Sequence, residues 1–171
     1  MLKKLLKKFS EPKKEGTEVR LILPQETFTV ANYRREGLPG VAVINTGLMD
    51  FDHQGVFCWH LSLIIDFDES EIIDNGMPSI QEREIVEAFA DKLNKEIKAG
   101  GNALFLARET WNKTRRLVWM VYDPDIAHEH LQHLIEHHQY PRYFDYQMKM
   151  DNEWQQPNWY FDWIRKSEKS N

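Results

Sequence analysis

The pattern of apolar and polar residues predicts a series of short strands. Six segments are predicted as strands, and some of them alternate between apolar and polar positions: residues 27–33, 41–46, 57–66, 103–109, 116–122 and 143–149. In the third segment, Leu61 and Leu63 fall on one face of the strand while His60 and Ser62 fall on the other. Where this period of two is present, as in residues 27–33, 57–66 and 143–149, it predicts strands rather than helices.

Two stretches between these strands have helical spacing instead. Ser79 with Glu82 three residues later forms a capping box, and the first helix is expected to end at Gly100. Either Asp123 or Asp125 is expected to cap the second helix, which runs to about residue 138. The apolar stripe predicted for the first helix consists of Ile80, Ile85, Ala88, Phe89, Leu93 and Ile97.

The order of these elements predicts an α+β fold. From residue 57 onward it reads strand, helix, strand, strand, helix, strand, which is typical of a ferredoxin-like sandwich. Two extra N-terminal strands are expected to extend the sheet, and a C-terminal aromatic helical tail is expected to cover an edge or a face. We predict a single domain over residues 21–166, preceded by a basic amphipathic segment and linker (1–20) and followed by a disordered tail (167–171).

The fifth predicted strand is apolar on both faces. Val118 and Met120 alternate with Leu117, Trp119 and Val121. A strand of this kind needs apolar cover on each side of the sheet. The cover comes either from this chain or from another subunit, and the sequence leaves both alternatives open.

Composition and charge narrow the class of protein. The single Cys58 rules out an intramolecular disulfide, and we interpret it as a sign of a reducing, cytoplasmic setting. The net charge of −5 combines +4 over residues 1–20 with −9 over the remainder. An acidic body repels phosphate, so nucleic acid is not expected as a partner.

The first nine residues form a small amphipathic pattern. Leu2, Leu5, Leu6 and Phe9 share one helical face, with four lysines opposite. The pattern permits contact of residues 1–9 with a membrane surface or a partner. The alternative is a solvated N-terminus, because nine residues are marginal as an isolated helix.

The C-terminal segment is rich in aromatic residues. Trp159 and Trp163 are four residues apart and so share a helical face with each other. We predict a partner-binding surface that comprises Trp154, Trp159, Tyr160 and Trp163, since Trp and Tyr are frequent at binding hot spots. Packing of the segment onto the domain is the alternative.

Candidate catalytic chemistry is sparse. His130, His133 and His137 are spaced i, i+3, i+7 on the second predicted helix, which is compatible with a divalent metal and a metal-assisted hydrolase. Cys58 and His60 are two apart on a strand, a spacing that permits a nucleophile and base pair but is more typical of ordinary sheet residues. No convergent catalytic set is evident, so we expect a non-enzymatic domain without a cofactor. A protein partner is expected, with self-association as an alternative.

Several short motifs resemble one bacterial family. They are Arg35-Glu36-Gly37-Leu38-Pro39, Asn75-Gly76-Met77-Pro78-Ser79, Ala107-Arg108-Glu109-Thr110, Phe144-Asp145-Tyr146 and Asp151-Asn152-Glu153-Trp154. In this order the motifs resemble the domain of unknown function 695 family, from about Phe28 to Ile164. That family is distantly similar to the regulator of ribonuclease E activity B, an inhibitor that binds its enzyme. The resemblance implies a regulatory, protein-binding module and implies no catalytic residues.

Overall fold

The computed structural model describes residues 21–168, which form one sheet and three α-helices. The strands are β1 (Phe28–Arg35), β2 (Leu38–Asn45), β3 (Trp59–Asp66), β4 (Ala103–Trp111), β5 (Thr114–Val121) and β6 (Phe144–Met150). The helices are α1 (Ile80–Ile97), α2 (Pro124–Glu136) and α3 (Gln155–Glu168). The α+β class is therefore confirmed, and α3 continues two residues past the predicted domain end at 166.

The six strands form one antiparallel sheet in the order β1-β2-β4-β5-β3-β6. The β1–β2 connection is tighter than predicted, because Glu36 and Gly37 both adopt positive φ and turn the chain in two residues. The β4–β5 turn at Asn112 and Lys113 uses the same geometry. Two-residue turns of this kind match the twist of the strands, so both hairpins extend further than their apolar patterns indicated.

Each predicted helix begins at its expected cap. The Ser79 side chain accepts a hydrogen bond from the backbone N–H of Glu82 at 3.1 Å, and Asp123 accepts one from Asp125 at 3.0 Å. The second half of the predicted capping box is wrong. The Glu82 carboxylate turns away from Ser79, accepts a bond from the Asp68 N–H at 2.9 Å and pairs with Arg142.

The first face of the sheet is covered by α1 and α2. Its core combines Leu61, Leu63 and Ile65 of β3 with residues of both helices and of β4 and β5. The predicted α1 stripe is partly wrong, since Ile80 is 69% exposed while Val86 and Ala90 are buried. The stripe was predicted from spacing alone, and its true centre lies closer to Val86, Phe89, Ala90, Leu93 and Ile97.

The second face is covered by α3 and by the loop between β2 and β3. Leu106, Val118 and Met120 of the sheet pack against Phe161 and Ile164 of α3, with Leu48, Phe51 and Phe57 from the loop. The apolar second face of β5 is thus covered by this chain. Within residues 21–168, none of the helices has the length and apolarity to cross a membrane. The predicted amphipathic segment 1–9 lies outside the described residues.

Candidate functional site

The four aromatic residues predicted to bind a partner occupy two different environments. Trp154 is completely buried, and its Nε1 donates to the Phe57 carbonyl at 2.8 Å. Tyr160 is 4% exposed in the same core. Trp159, in contrast, is 55% exposed, and Trp163 lies at the edge of the core. The helix periodicity explains the split, because 157, 160, 161 and 164 face the sheet while 159 and 163 lie at its margin.

Trp159 and Trp163 line a pocket that the sequence did not predict. We call it the aromatic–arginine pocket; its lining residues are Tyr33, Arg34, Arg35, Glu109, Trp159 and Trp163, and its volume is about 200 Å³. The rings of Trp159 and Trp163 are 5.8 Å apart, and Tyr33 meets Trp163 edge-on at 5.5 Å. Strand β1 supplies one wall and α3 the other.

Arginine side chains are part of the same surface. The Arg35 guanidinium lies 5.3 Å from the Tyr33 ring centroid and 4.8 Å from that of Trp111, within the range of cation–π attraction. Arg34 is exposed, and its Nη2 donates to the Gly37 carbonyl at 3.1 Å. The rim of the pocket is therefore positive, although the protein as a whole is acidic.

The floor of the pocket is a buried carboxylate. Glu109 is 5% exposed, and it accepts hydrogen bonds from the Tyr33 hydroxyl at 3.2 Å and from the Tyr160 hydroxyl. Arg35 Nη2 lies 3.7 Å from the same carboxylate. These partners compensate the burial of the charge, which would otherwise be strongly unfavourable.

The environment of Glu109 fixes the protonation of both tyrosines. Burial and the negative charge of Glu109 raise the pKa of Tyr33 to about 12. The same two causes, in the same order, raise the pKa of Tyr160 far above its usual value. Both hydroxyls are protonated at neutral pH and donate to Glu109. Both tyrosines are therefore further from titrating near neutral pH than a free tyrosine would be.

The three histidines predicted to hold a metal do not form a site. His130 Nε2 lies 3.0 Å from Glu96 Oε2 on α1, whereas His133 and His137 stack with ring centroids 4.1 Å apart. His137 Nδ1 contacts the His133 carbonyl, because α2 ends at Glu136 and His137 is its C-terminal cap. In residues 21–168, no group of three or more His, Cys, Asp or Glu side chains is arranged to hold a metal. The prediction from helical spacing is corrected accordingly.

Cys58 and His60 are the second candidate pair that the sequence suggested. Cys58 precedes β3, and His60 lies within the strand on the second face of the sheet. Burial lowers the pKa of His60, as do the nearby charges of Arg116 and Lys149, against the opposing effect of Asp151. Its surroundings are those of a polar sheet face.

Sequence analysis missed the β1 wall and the floor of the pocket. Glu109 gave only a weak signal, since with Arg108 it is one of two adjacent charged residues that follow the apolar start of a strand. Tyr33 and Arg35 alternate with Arg34 along β1, but nothing in the sequence placed β1 beside α3. These two elements stand at opposite ends of the described chain.

The fold and the site together define a small α+β domain with an aromatic, positively charged surface pocket over a buried carboxylate. The chain belongs to the family of unknown function DUF695, whose family model matches residues 33–164. The match spans both walls of the pocket, from Tyr33 to beyond Trp163. No curated protein and no solved structure matches the chain.

Proposed function

We propose that this protein is a non-enzymatic interaction domain that binds a protein partner through the aromatic–arginine pocket. One observation carries the proposal: Trp, Tyr and Arg, the residue types that dominate binding energy at interfaces, converge there on a buried anchor. Exposed Trp159 supplies contact area, and Glu109 holds Tyr33 and Arg35 in place.

The pocket favours a particular kind of partner. Its volume of about 200 Å³ is smaller than the roughly 300–1,000 Å³ of pockets that hold metabolites or drugs. This size suits a single apolar or aromatic side chain. Because Arg34 and Arg35 line the rim, the residues flanking that side chain are proposed to be acidic.

A finer fold assignment is part of the same proposal. The unit from β3 to β6 with α1 and α2 is inferred to be ferredoxin-like, supported by the strand order β4-β5-β3-β6 and by both helices lying on one face. Strands β1 and β2 then extend this unit at the β4 edge. The proposed setting is the bacterial cytoplasm, and the proposed role is regulatory, on analogy with the enzyme-binding regulator named above.

The test is a pull-down from bacterial lysate with full-length protein, at two salt concentrations. We compare the wild type with Trp159→Ala/Trp163→Ala and with Arg34→Glu. The matched control is Ile126→Ala/Tyr143→Ala, which removes two large exposed side chains elsewhere on the surface. Circular dichroism verifies that each variant is folded.

We expect one stoichiometric partner, retained by the wild type and the control and lost in the tryptophan double variant. Arg34→Glu should weaken its capture, most clearly at low salt, because surface charges are less screened there. A partner retained equally by all variants would place binding elsewhere. A turnover activity abolished by one polar substitution would contradict the non-enzymatic proposal.

A further inference from the structure

Helix α3 leaves part of the second sheet face open. Its covered half lies over β2, β4 and β5, where the second core is packed. Over β3 and β6 lies a groove of about 290 Å³, which we call the β3–β6 groove. The groove is lined by His60, Ser62, Ile64, Arg116, Asp145, Tyr146, Gln147, Lys149 and Gln156.

The sheet register brings the polar groups of the groove together. His60 is paired directly with Lys149, and Ser62 with Gln147, across β3 and β6. Arg116 extends from β5 on the other side of β3. Neighbouring strands are about 4.8 Å apart, so Arg116 and Lys149 approach the line of His60 and Ser62 from opposite sides. Backbone pairing therefore fixes this cluster more firmly than loop residues would be fixed.

Among the described residues, the two cations of the groove, Arg116 and Lys149, lack an ion-pair partner. In residues 21–168, neither Arg116 nor Lys149 has a carboxylate within 4.0 Å, whereas Arg35, Arg108, Arg115 and Arg142 each have one. Arg116 lies near the Tyr160 hydroxyl, and it is the cross-strand neighbour of Glu109 without reaching ion-pair distance. The groove thus presents two cations that lack a counter-charge at contact distance.

The nearby carboxylates are engaged by backbone donors. Asp151 accepts from the N–H groups of Gln155 and Gln156 at 2.8 and 2.9 Å, and so caps α3. Asp145 accepts from the N–H of Tyr146 at 2.8 Å. In residues 21–168, neither of these carboxylates forms an ion pair with Arg116 or Lys149, although Asp145 lines the same groove. A ligand that supplies negative charge would complete the groove.

We propose that the β3–β6 groove binds a small organic anion whose oxyanion group lies over β3, between Arg116 and Lys149. The Ser62 hydroxyl and the His60 imidazole supply hydrogen bonds from the floor, and Gln147 and Gln156 contact the remainder of the ligand. A guanidinium and an ammonium together suit a phosphate or a carboxylate. This site is separate from the aromatic–arginine pocket, and its test does not depend on the proposed protein partner.

The test is an NMR titration of the full-length, isotope-labelled protein at constant ionic strength and pH. Inorganic phosphate and acetate are the two probes, with sodium chloride as the balancing salt. We expect saturable shifts of the His60 side-chain signals and of the Ser62 and Gln147 amides with at least one probe. Saturation by phosphate alone identifies a phosphate ligand, and saturation by acetate alone identifies a carboxylate.

Three variants locate the binding. Lys149→Gln should raise the probe Kd by about tenfold, which corresponds to the loss of one charge-assisted hydrogen bond. Arg116→Lys keeps the charge but removes the planar fork, and should weaken binding by several-fold. Lys92→Gln on α1, which lies on the other side of the sheet, is the control with the same charge change and should leave Kd unchanged.

Three results would overturn the proposal. One is a linear, unsaturated response to both probes at His60. Another is a Kd that Lys149→Gln and Arg116→Lys leave unaltered while the melting temperature shows both to be folded. The last is an equal loss of affinity in Lys92→Gln, which would show that the probes respond to the net charge of the protein and not to the groove.

Discussion

The two faces of the sheet differ in how their charged side chains are compensated. On the first face, carboxylates pair with arginines: buried Glu82 pairs with Arg142, and Glu87 with Arg108 and Arg115. On the second face, the buried carboxylate of Glu109 accepts a hydrogen bond from the hydroxyl of Tyr160, under α3. The second face also leaves a polar half uncovered, over β3 and β6.

This difference bears on stability. The ion pairs of the first face join α1 to β4, to β5 and to the segment that precedes β6. Buried polar groups on the second face contribute less to stability per unit of area, because their desolvation offsets much of their hydrogen bonding. Both sites proposed above lie on this second side. The following predictions test the contrast, from the largest expected effect to the smallest.

The largest effect is expected at Trp154, the completely buried residue that precedes α3. Trp154→Ala removes its core contacts and its hydrogen bond to Phe57, and should lower the free energy of unfolding by about 3–5 kcal/mol. Urea denaturation measures the change. Trp159→Ala is the matched control; because Trp159 is half exposed, we expect a loss of at most about 1 kcal/mol. Equal losses would mean that α3 is not packed as described.

An intermediate effect is expected at the buried hydroxyl of Tyr160. Tyr160→Phe keeps the ring but deprives Glu109 of one donor, and should cost about 1–2 kcal/mol. Tyr143→Phe makes the same change at a side chain that is 63% exposed, and should remain within about 0.5 kcal/mol of wild type. A neutral Tyr160→Phe would show that Arg35 and Tyr33 satisfy Glu109 without it.

The smallest effect concerns the alkaline limit of stability. The pKa of Tyr33 is raised to about 12 from the ordinary 10.0, so its contribution is complete below pH 10 and declines as pH rises towards 12. Between pH 10 and 12, Tyr33 ionises in the unfolded chain before it ionises in the folded chain. The free energy of unfolding therefore falls over this pH range. Because Tyr33 is partly exposed, solvent screening keeps the effect small.

Glu109→Gln sharpens this third prediction. Removing the charge should lower the pKa of Tyr33 without restoring 10.0, since burial is the larger cause of the shift. Carbon NMR of the labelled tyrosine side chains follows the titration directly. Glu87→Gln, the same substitution on the first face, should leave Tyr33 unchanged. A similar change in the pKa of Tyr33 in both variants would mean that the pKa responds to the net charge of the protein and not to contact with Glu109.

Local patterns predicted the elements of this fold well. Period-two alternation and short apolar segments identified all six strands, and Ser79 and Asp123 marked where α1 and α2 begin. Glu82 shows where local reasoning ends. Its spacing from Ser79 satisfies a capping box, but Arg142 and the Asp68 N–H, both distant in sequence, compete for the carboxylate. The bidentate pair with Arg142 is the stronger interaction.

The site was less accessible to sequence reasoning. The importance of Trp159 and Trp163 was inferred from composition and spacing, and their role in binding a partner stays a prediction. Trp154 and Tyr160 looked equivalent to them, because periodicity gives the faces of a helix and not the depth at which each lies. The β3–β6 groove depends on the β3–β6 register, which joins residues far apart in the sequence, such as His60 and Lys149, and has no local signature.

The two walls of the aromatic–arginine pocket come from the two ends of the described chain. Strand β1 begins at Phe28 and α3 ends at Glu168, so the pocket exists only while both ends are docked on the sheet. By mass action, any molecule bound there stabilises that docked state, and at a hundred times its Kd it adds about 2.7 kcal/mol. Occupancy of the pocket is thereby coupled to the integrity of the fold. A partner would recognise the domain with β1 and α3 both docked, and would discriminate against a form that lacks either element.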